Sequence, residues 1–320
     1  MKNVIVYGLG ERFQLFQKWE DEWRTEYNFI GVCDKQAPDD DLKYEFIERD
    51  RLKNVSFELI IVTSDKYYGE IKDELIYYDV QSDNIVSLQS LIDDMHTNAL
   101  QLNLFKGRNG VEIGGPTYIF KNTIYNICNR CDNVIFSAST VWGDATQNKW
   151  NEYSGRNLGN VIVADVTDMK QIKNEKYDFC ISSNNLEHVA NPLKAVEECL
   201  RVIKSKGLLL LLVPYKEKCF DHAREYDTFE HILDDYNKGI KEDDISHLDE
   251  ILKKHDFSMD EGCKSVDEFM KRANNNYENR CLHHHVFDEG LLIKIYEFFY
   301  IKVIKSGILG TNIYIIGEKK

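Results

Sequence analysis

No stretch of this sequence approaches the roughly 20 consecutive apolar residues that span a bilayer. The longest apolar run, residues 208–213, has the length of a buried strand. Positive charge is in short supply as well: 40 Lys and Arg face 54 Asp and Glu, a formal net charge of −14. A nucleic-acid binder gathers basic residues onto a face that displaces counterions, so this balance argues against that class and for a small or neutral substrate. The opening residues, Met1-Lys2-Asn3-Val4-Ile5-Val6, have a strand pattern running into a glycine turn. They lack the longer apolar core and small-residue cleavage site of a signal peptide. A cytoplasmic protein is expected.

Paired cysteines at metal spacing are also lacking. The eight cysteines (33, 128, 131, 180, 199, 219, 263 and 281) are scattered, and Cys128 and Cys131 form one C-x-x-C with no second pair at zinc-ribbon distance. They read as buried thiols in a reducing compartment. What is present is the balance of a globular chain, 43% hydrophobic and 29% charged, rich in Tyr (18) and Phe (16). At 320 residues it accommodates two domains or one large α/β domain.

A strand, a glycine turn and a helix occur twice, at Val4-Ile5-Val6-Tyr7-Gly8-Leu9-Gly10 and at Val111-Glu112-Ile113-Gly114-Gly115-Pro116. In the first unit, residues 29–34 read as a second strand ending in Asp34, and residues 59–63 as a buried strand of parallel-sheet type. A helix over 67–79 and a strand over 85–88 complete a unit of residues 1–96. Gly8, Gly10 and Asp34 imitate a dinucleotide fingerprint, but Phe13 stands at its third glycine. In pattern this segment resembles the small Rossmann-like domain that accompanies sugar-modifying enzymes of bacterial polysaccharide pathways.

In the second unit, residues 97–320, a helix through Cys131 is followed by short apolar strands over 133–136, 161–165 and 177–183. A helix over 192–203, a strand over 208–213, a further helix through Tyr300 and a hairpin of strands over 301–304 and 312–316 follow. That order predicts a mostly parallel sheet covered by helices, with ligand groups at the carboxyl ends of the strands.

Residues 177–214, which contain Tyr177-Asp178, Leu186-Glu187-His188 and Arg201-Val202-Ile203-Lys204, resemble the central region of small-molecule class I S-adenosylmethionine-dependent methyltransferases. The resemblance implies an α/β fold: a Rossmann-like seven-stranded methyltransferase sheet, preceded by the smaller Rossmann-like domain. It also implies S-adenosyl-L-methionine as cofactor. Carried over, Glu112, Gly114, Gly115 and Pro116 form the glycine loop, with Pro116 at the position of the usual last glycine. Asp165 and Val166 fall where adenine is contacted, and Ser182 and Asn184 at the strand end beneath the cofactor. The family's ribose acid after the second strand is missing; Ser137 and the hydroxyls after it, or Asp144 or Glu152, are the substitutes. Singly, each position also reads as a turn or a helix cap.

Beyond Pro214 lies a histidine-rich insertion, about residues 216–288, holding seven of the nine histidines. Such residues at a cleft mouth can take a proton from a sugar hydroxyl or bind a divalent metal. His188, His222, His283 and His285 are the candidate bases. His283 and His285, with Asp221, His222 or His231, have workable ligand spacing, but a divalent metal is the lesser expectation and no ligand set is assigned. The expected activity is O-methylation of a small saccharide or sugar nucleotide, with a homo-oligomer left open. The alternatives are a nucleotide-sugar-using, metal-dependent transferase on the same fold and a non-catalytic scaffold.

Overall fold

The computed structural model describes residues 1–37, 42–121, 123–140, 143–144, 155–260 and 262–320. Two compact units divide it, Met1–His96 and Thr97–Lys320.

The first unit contains β1 (Lys2–Tyr7), α1 (Glu11–Trp23), β2 (Tyr27–Cys33), β3 (Leu59–Val62), α2 (Tyr68–Tyr77) and β4 (Ile85–Ser87). It ends within α3 (Leu88–Ala99). The strands form a parallel sheet in the order β2-β1-β3-β4. Alternation along β1 sends Val4 and Val6 into one core with Phe16 and Trp23, and Ile5 and Tyr7 into the other with Leu52 and Leu75. A strand buried on both faces reads as an uninterrupted apolar run for this reason.

The glycine turn of this unit is internally satisfied. Gly8 has φ +101°, and a Cβ there would run into the Thr63 hydroxyl, which donates to the Gly8 carbonyl at 2.8 Å. The Leu9 N–H donates to the Asp34 carboxylate at 2.7 Å, so the acid that imitates a ribose ligand braces the turn instead. Phe13 packs into the core.

The second unit contains β5 (Asn109–Ile113), α4 (Ile124–Ile127), β6 (Arg130–Ile135), the two-residue strands β7 (Ser139–Thr140) and β8 (Gly143–Asp144), β9 (Val161–Val163) and β10 (Tyr177–Ser183). After these come α5 (Pro192–Val202), β11 (Ile203–Pro214), α6 (Phe229–Lys238), α7 (Leu248–Lys254), α8 (Val266–Ala273), α9 (Asn276–Asn279), α10 (Glu289–Phe298), β12 (Lys302–Leu309) and β13 (Asn312–Glu318). The seven-stranded sheet has the order β12-β13-β11-β10-β5-β6-β9. Six strands run in one direction, and β13 alone in this sheet runs against them, between β11 and β12. From β5 the successive strands are added on one side (β6, β9) and from β10 on the other, and this switch in strand order between two parallel neighbours creates a crevice at their carboxyl ends.

The motif residues of 177–214 explain themselves locally. Asn191 caps α5 by accepting the Lys194 N–H, with Pro192 in its first turn. Arg201 donates to the carbonyls of Met169 and Ile172, each at 2.8 Å, and pairs with Glu198. It ties the helix to the segment after β9.

Two element boundaries differ from expectation. Cys131 lies in β6, not in a helix, because β6 pairs with β5 from Asn109↔Arg130 onward and draws Arg130–Asp132 into the sheet. The final hairpin is longer than its apolar cores, since pairing runs from Lys302↔Glu318 to Leu309↔Asn312. All the cysteines are free, and all but Cys219 are buried. No helix among the described residues is long and apolar enough to cross a membrane.

Candidate active site

The glycine loop leaves β5 at the crevice. Gly114 has φ +78°, and a Cβ there would lie 2.8 Å from the Asn185 amide, so bare backbone is required. Glu112 points beneath the loop: its carboxylate accepts from the Thr117 N–H at 3.1 Å, the Thr117 hydroxyl at 2.8 Å and the Tyr125 hydroxyl. Burial pushes this carboxyl up to about 7 against those hydrogen bonds. The Gly115 carbonyl accepts from Asn133, and Pro116 follows in the loop that Glu112 braces. Across the crevice the Ser182 hydroxyl is buried and donates to the Ile113 carbonyl at 3.3 Å. Asn184 adopts φ 48° and donates its N–H to the Leu212 carbonyl. A small recess here is lined by Ile113, Val166, Ser182, Asn185 and Leu186.

The far side of the crevice is organised by a residue from the insertion. Asp165 accepts from the N–H and hydroxyl of Thr167, and lies 2.9 Å from the Arg280 guanidinium. Burial would raise the Asp165 carboxyl, but Thr167 and Arg280 outweigh it and lower it. Arg280 also reaches Glu242 at 3.0 Å and lies 5.3 Å above the Phe136 ring. The Ser137 hydroxyl donates to the Ser139 carbonyl at 3.0 Å. Of the other ribose-acid substitutes, Glu152 lies outside the described residues, and only the backbone of Asp144 is described.

The insertion separates the candidate bases. His283 is buried and its Nδ1 lies 2.5 Å from the Asp221 carboxylate. Arg224, also buried, donates to Asp221 at 3.1 Å and to the carbonyls of His283 and His284. Burial alone would raise the Asp221 carboxyl; His283 and Arg224 overcome it and hold it at about 2. Burial opposes charge on His283, yet Asp221 and Glu187 raise its pKa above the ordinary value. Glu187 is 1% exposed, neither carboxylate oxygen has a hydrogen-bond partner, and burial pushes it up to about 7. Glu187, His188 and His283 bring ligand-type atoms within 4.8 Å of one another.

His188 stacks edge-on against His283 at 4.5 Å, with Nδ1 3.2 Å from the Leu282 carbonyl. His285 shares a recess with Glu187, Asp221 and His283 but meets different carboxylates, Asp227 and Asp235. His222 is not part of this group: half-exposed, it pairs with Asp256 at 3.1 Å. His283 and His285 therefore do not form one ligand pair, because the irregular segment 280–288 turns them toward separate partners. The sequence pattern did not single out Glu187 as a site residue, although it lies in the Leu186-Glu187-His188 turn, nor Arg224, and it gave Arg280 a place only within a lid or substrate wall over residues 279–288.

Residues 134–211 match the family described as methyltransferase domain, and residues 1–86 the family described as C2185-like, N-terminal. No curated protein matches the chain. Among solved structures, it is similar to a carbon methyltransferase, CurJ (14% identity, TM-score 0.36), covering 67% of this chain and 49% of that one. A methyltransferase from Aquifex aeolicus is similar at 13% identity and TM-score 0.41, with 72% and 91% covered. An O-methyltransferase family protein from Burkholderia thailandensis is similar at 11% and 0.43, with 79% and 59% covered. The chain spans about half the length of CurJ. The strand order and the family match, not these distant likenesses, make Thr97–Lys320 a class I methyltransferase fold. That match covers residues 134–211 only, within the second unit, and S-adenosylmethionine is the cofactor the resemblance implies.

The crevice suits that cofactor in part. The bare backbone at Gly114 leaves room for a ligand to approach the loop closely, while Glu187 lines the separate recess that holds Asp221 and His283. Asp165 and Phe136, where the resemblance would put the adenine, are engaged by Arg280, so a purine there would require that side chain to swing away.

Proposed function

We propose that the protein methylates a hydroxyl of a small saccharide or sugar nucleotide in the cytoplasm, with His283 as the base. The observation that carries this reading is the Asp221–His283 pair beside Glu187. S-adenosylmethionine, when bound, supplies the methyl group as an electrophile. Gly114, Gly115, Ser182 and Val166 would border it, Pro116, Ser137 and Asn184 shape the surrounding loops, and Glu112 holds the glycine loop from below.

The chain's own work is alignment and proton removal. Asp221, kept ionised by Arg224, accepts the Nδ1–H of His283 and fixes the tautomer. Nε2 is then the nitrogen that takes the acceptor proton. The buried Glu187 carboxylate stabilises the imidazolium that results. Polar side chains around a hydroxyl acceptor support a saccharide, and the resemblance of the N-terminal unit to domains accompanying sugar-modifying enzymes supports the same class.

Calorimetry with S-adenosylmethionine followed by methyl-transfer assays on a panel of sugar nucleotides tests the reading. Cofactor binding with transfer that His283→Ala abolishes is expected. One observation favours a scaffold retaining the fold: Arg280 bridges Asp165 and Glu242 across the adenine half. Absence of binding at millimolar cofactor would overturn the methyl-transfer reading.

A further inference from the structure

A second group of titratable side chains lies outside the proposed methyl-transfer machinery. His231 and Asp235 occupy successive turns of α6, where spacing by four puts them on one face. Thr228 fixes the start of that helix by accepting the His231 N–H at 3.2 Å. His247 stands at the N-terminal cap of α7. His285 comes from the 280–288 segment, and the three imidazole rings lie 5.0, 5.7 and 5.8 Å apart.

The ring nitrogens face one another rather than outward donors. His231 Nε2 is 3.3 Å from His247 Nε2, 3.3 Å from Asp235 Oδ2 and 3.9 Å from Asp227 Oδ1. A single N–H can satisfy only one of these neighbours. The buried His285 uses Nε2 toward the Ala190 carbonyl at 3.2 Å. Its Nδ1 has no hydrogen-bond partner, although it is 3.5 Å from Asp227 Oδ2. With Nε2 protonated, Nδ1 is an acceptor facing a carboxylate, an arrangement that calls for positive charge.

Tetrahedral zinc with bonds of roughly 2.0–2.1 Å separates neighbouring ligand atoms by about 3.3–3.4 Å. Two edges of that length are already present, both from His231. We propose that His231, Asp235 and His247 bind one divalent cation of the zinc type, with His285 and Asp227 behind them. The fourth position opens to solvent on the side of the half-exposed His231. A neutral imidazole is the ligating form of both histidines. The cation would join α6, the start of α7 and, through His285, the segment carrying His283.

The test is titration of the chelator-treated full-length chain with Co2+, followed by visible absorption. Intense tetrahedral-type bands saturating at one ion per chain, and removed by added Zn2+, are expected. His247→Ala and Asp235→Asn should lose them with unchanged circular dichroism, while His222→Ala retains them. Asp227→Asn should weaken binding by about 10- to 100-fold, as removal of an outer partner does. Absence of the bands in the wild-type chain, or their persistence in folded His247→Ala, overturns the assignment. Because the readout is metal binding, it stands whether or not methyl transfer is found.

Discussion

Arg280 lies 2.9 Å from Asp165 and 5.3 Å above Phe136, so one guanidinium engages the carboxyl ends of both β9 and β6. On the proposed reading, those two ends receive the adenosine. Binding therefore competes with an internal ion pair, and the fraction of chains with the pair open scales the apparent affinity. Arg280→Gln is expected to tighten S-adenosylmethionine binding by about threefold to tenfold, read by calorimetry. Weaker binding would mean that the guanidinium holds the cofactor instead of standing in its place.

His283→Asn should lower kcat by about 10²- to 10⁴-fold, the usual span for losing a positioned base, and leave cofactor affinity unchanged. A parallel loss of affinity, measured by calorimetry on the same sample, would reassign the residue to binding.

The pH profile follows from the same pair. Asp221 and Glu187 raise the His283 pKa, and the neutral imidazole is the active form, so activity should rise with pH along a limb centred above the ordinary histidine value. Asp221→Asn removes the larger raising influence and should move that limb to lower pH while reducing kcat. A limb that stays in place in that variant would exclude His283 as the titrating base.

Glu187 has a folded-state pKa of about 7, above its ordinary 4.5. The folded chain then holds a proton that the unfolded chain releases, so this group's stabilisation is full below 4.5 and lost as pH rises through 7. Denaturation midpoints measured between pH 4.5 and 7.5 should fall less steeply in Glu187→Gln than in the wild type. Equal slopes would show that Glu187 ionises without penalty.

Gly114→Ala combines φ +78° with a clash against Asn185. A cost of about 1–3 kcal/mol is expected in urea unfolding, with weaker cofactor binding. An alanine variant as stable as the wild type would show that the loop relaxes freely.

Much of the fold was legible because buried parallel strands write themselves as apolar runs: the centre of β1, β3 and the centre of β11 are continuous stretches. Helix α5 announced itself through Asn191, Pro192 and Arg201. The boundaries that failed, at Cys131 and in the last hairpin, are set by a partner strand, which a single segment does not reveal. At the site, His283 was legible by type and Glu187 by its turn, but their meeting with Asp221 was not. That contact joins residues 62 apart through a segment with no regular period. His222 misled because an aromatic and an acid just before it, Phe220 and Asp221, look the same in a surface turn as in a cleft. The pairing of Arg280 carried no signal, since its partner is 115 residues away.

The antiparallel strand β13 lies between β11 and β12, although it is the last of the seven to emerge from the ribosome. Until residue 318 has been synthesised, the long leucine-rich edge of β11 has no neighbour on that side. A nascent chain would thus carry an adhesive edge from the completion of β11 at Pro214 until β13 follows, roughly 100 residues later, a window in which chaperones that shield growing polypeptides would have a strand edge to cover.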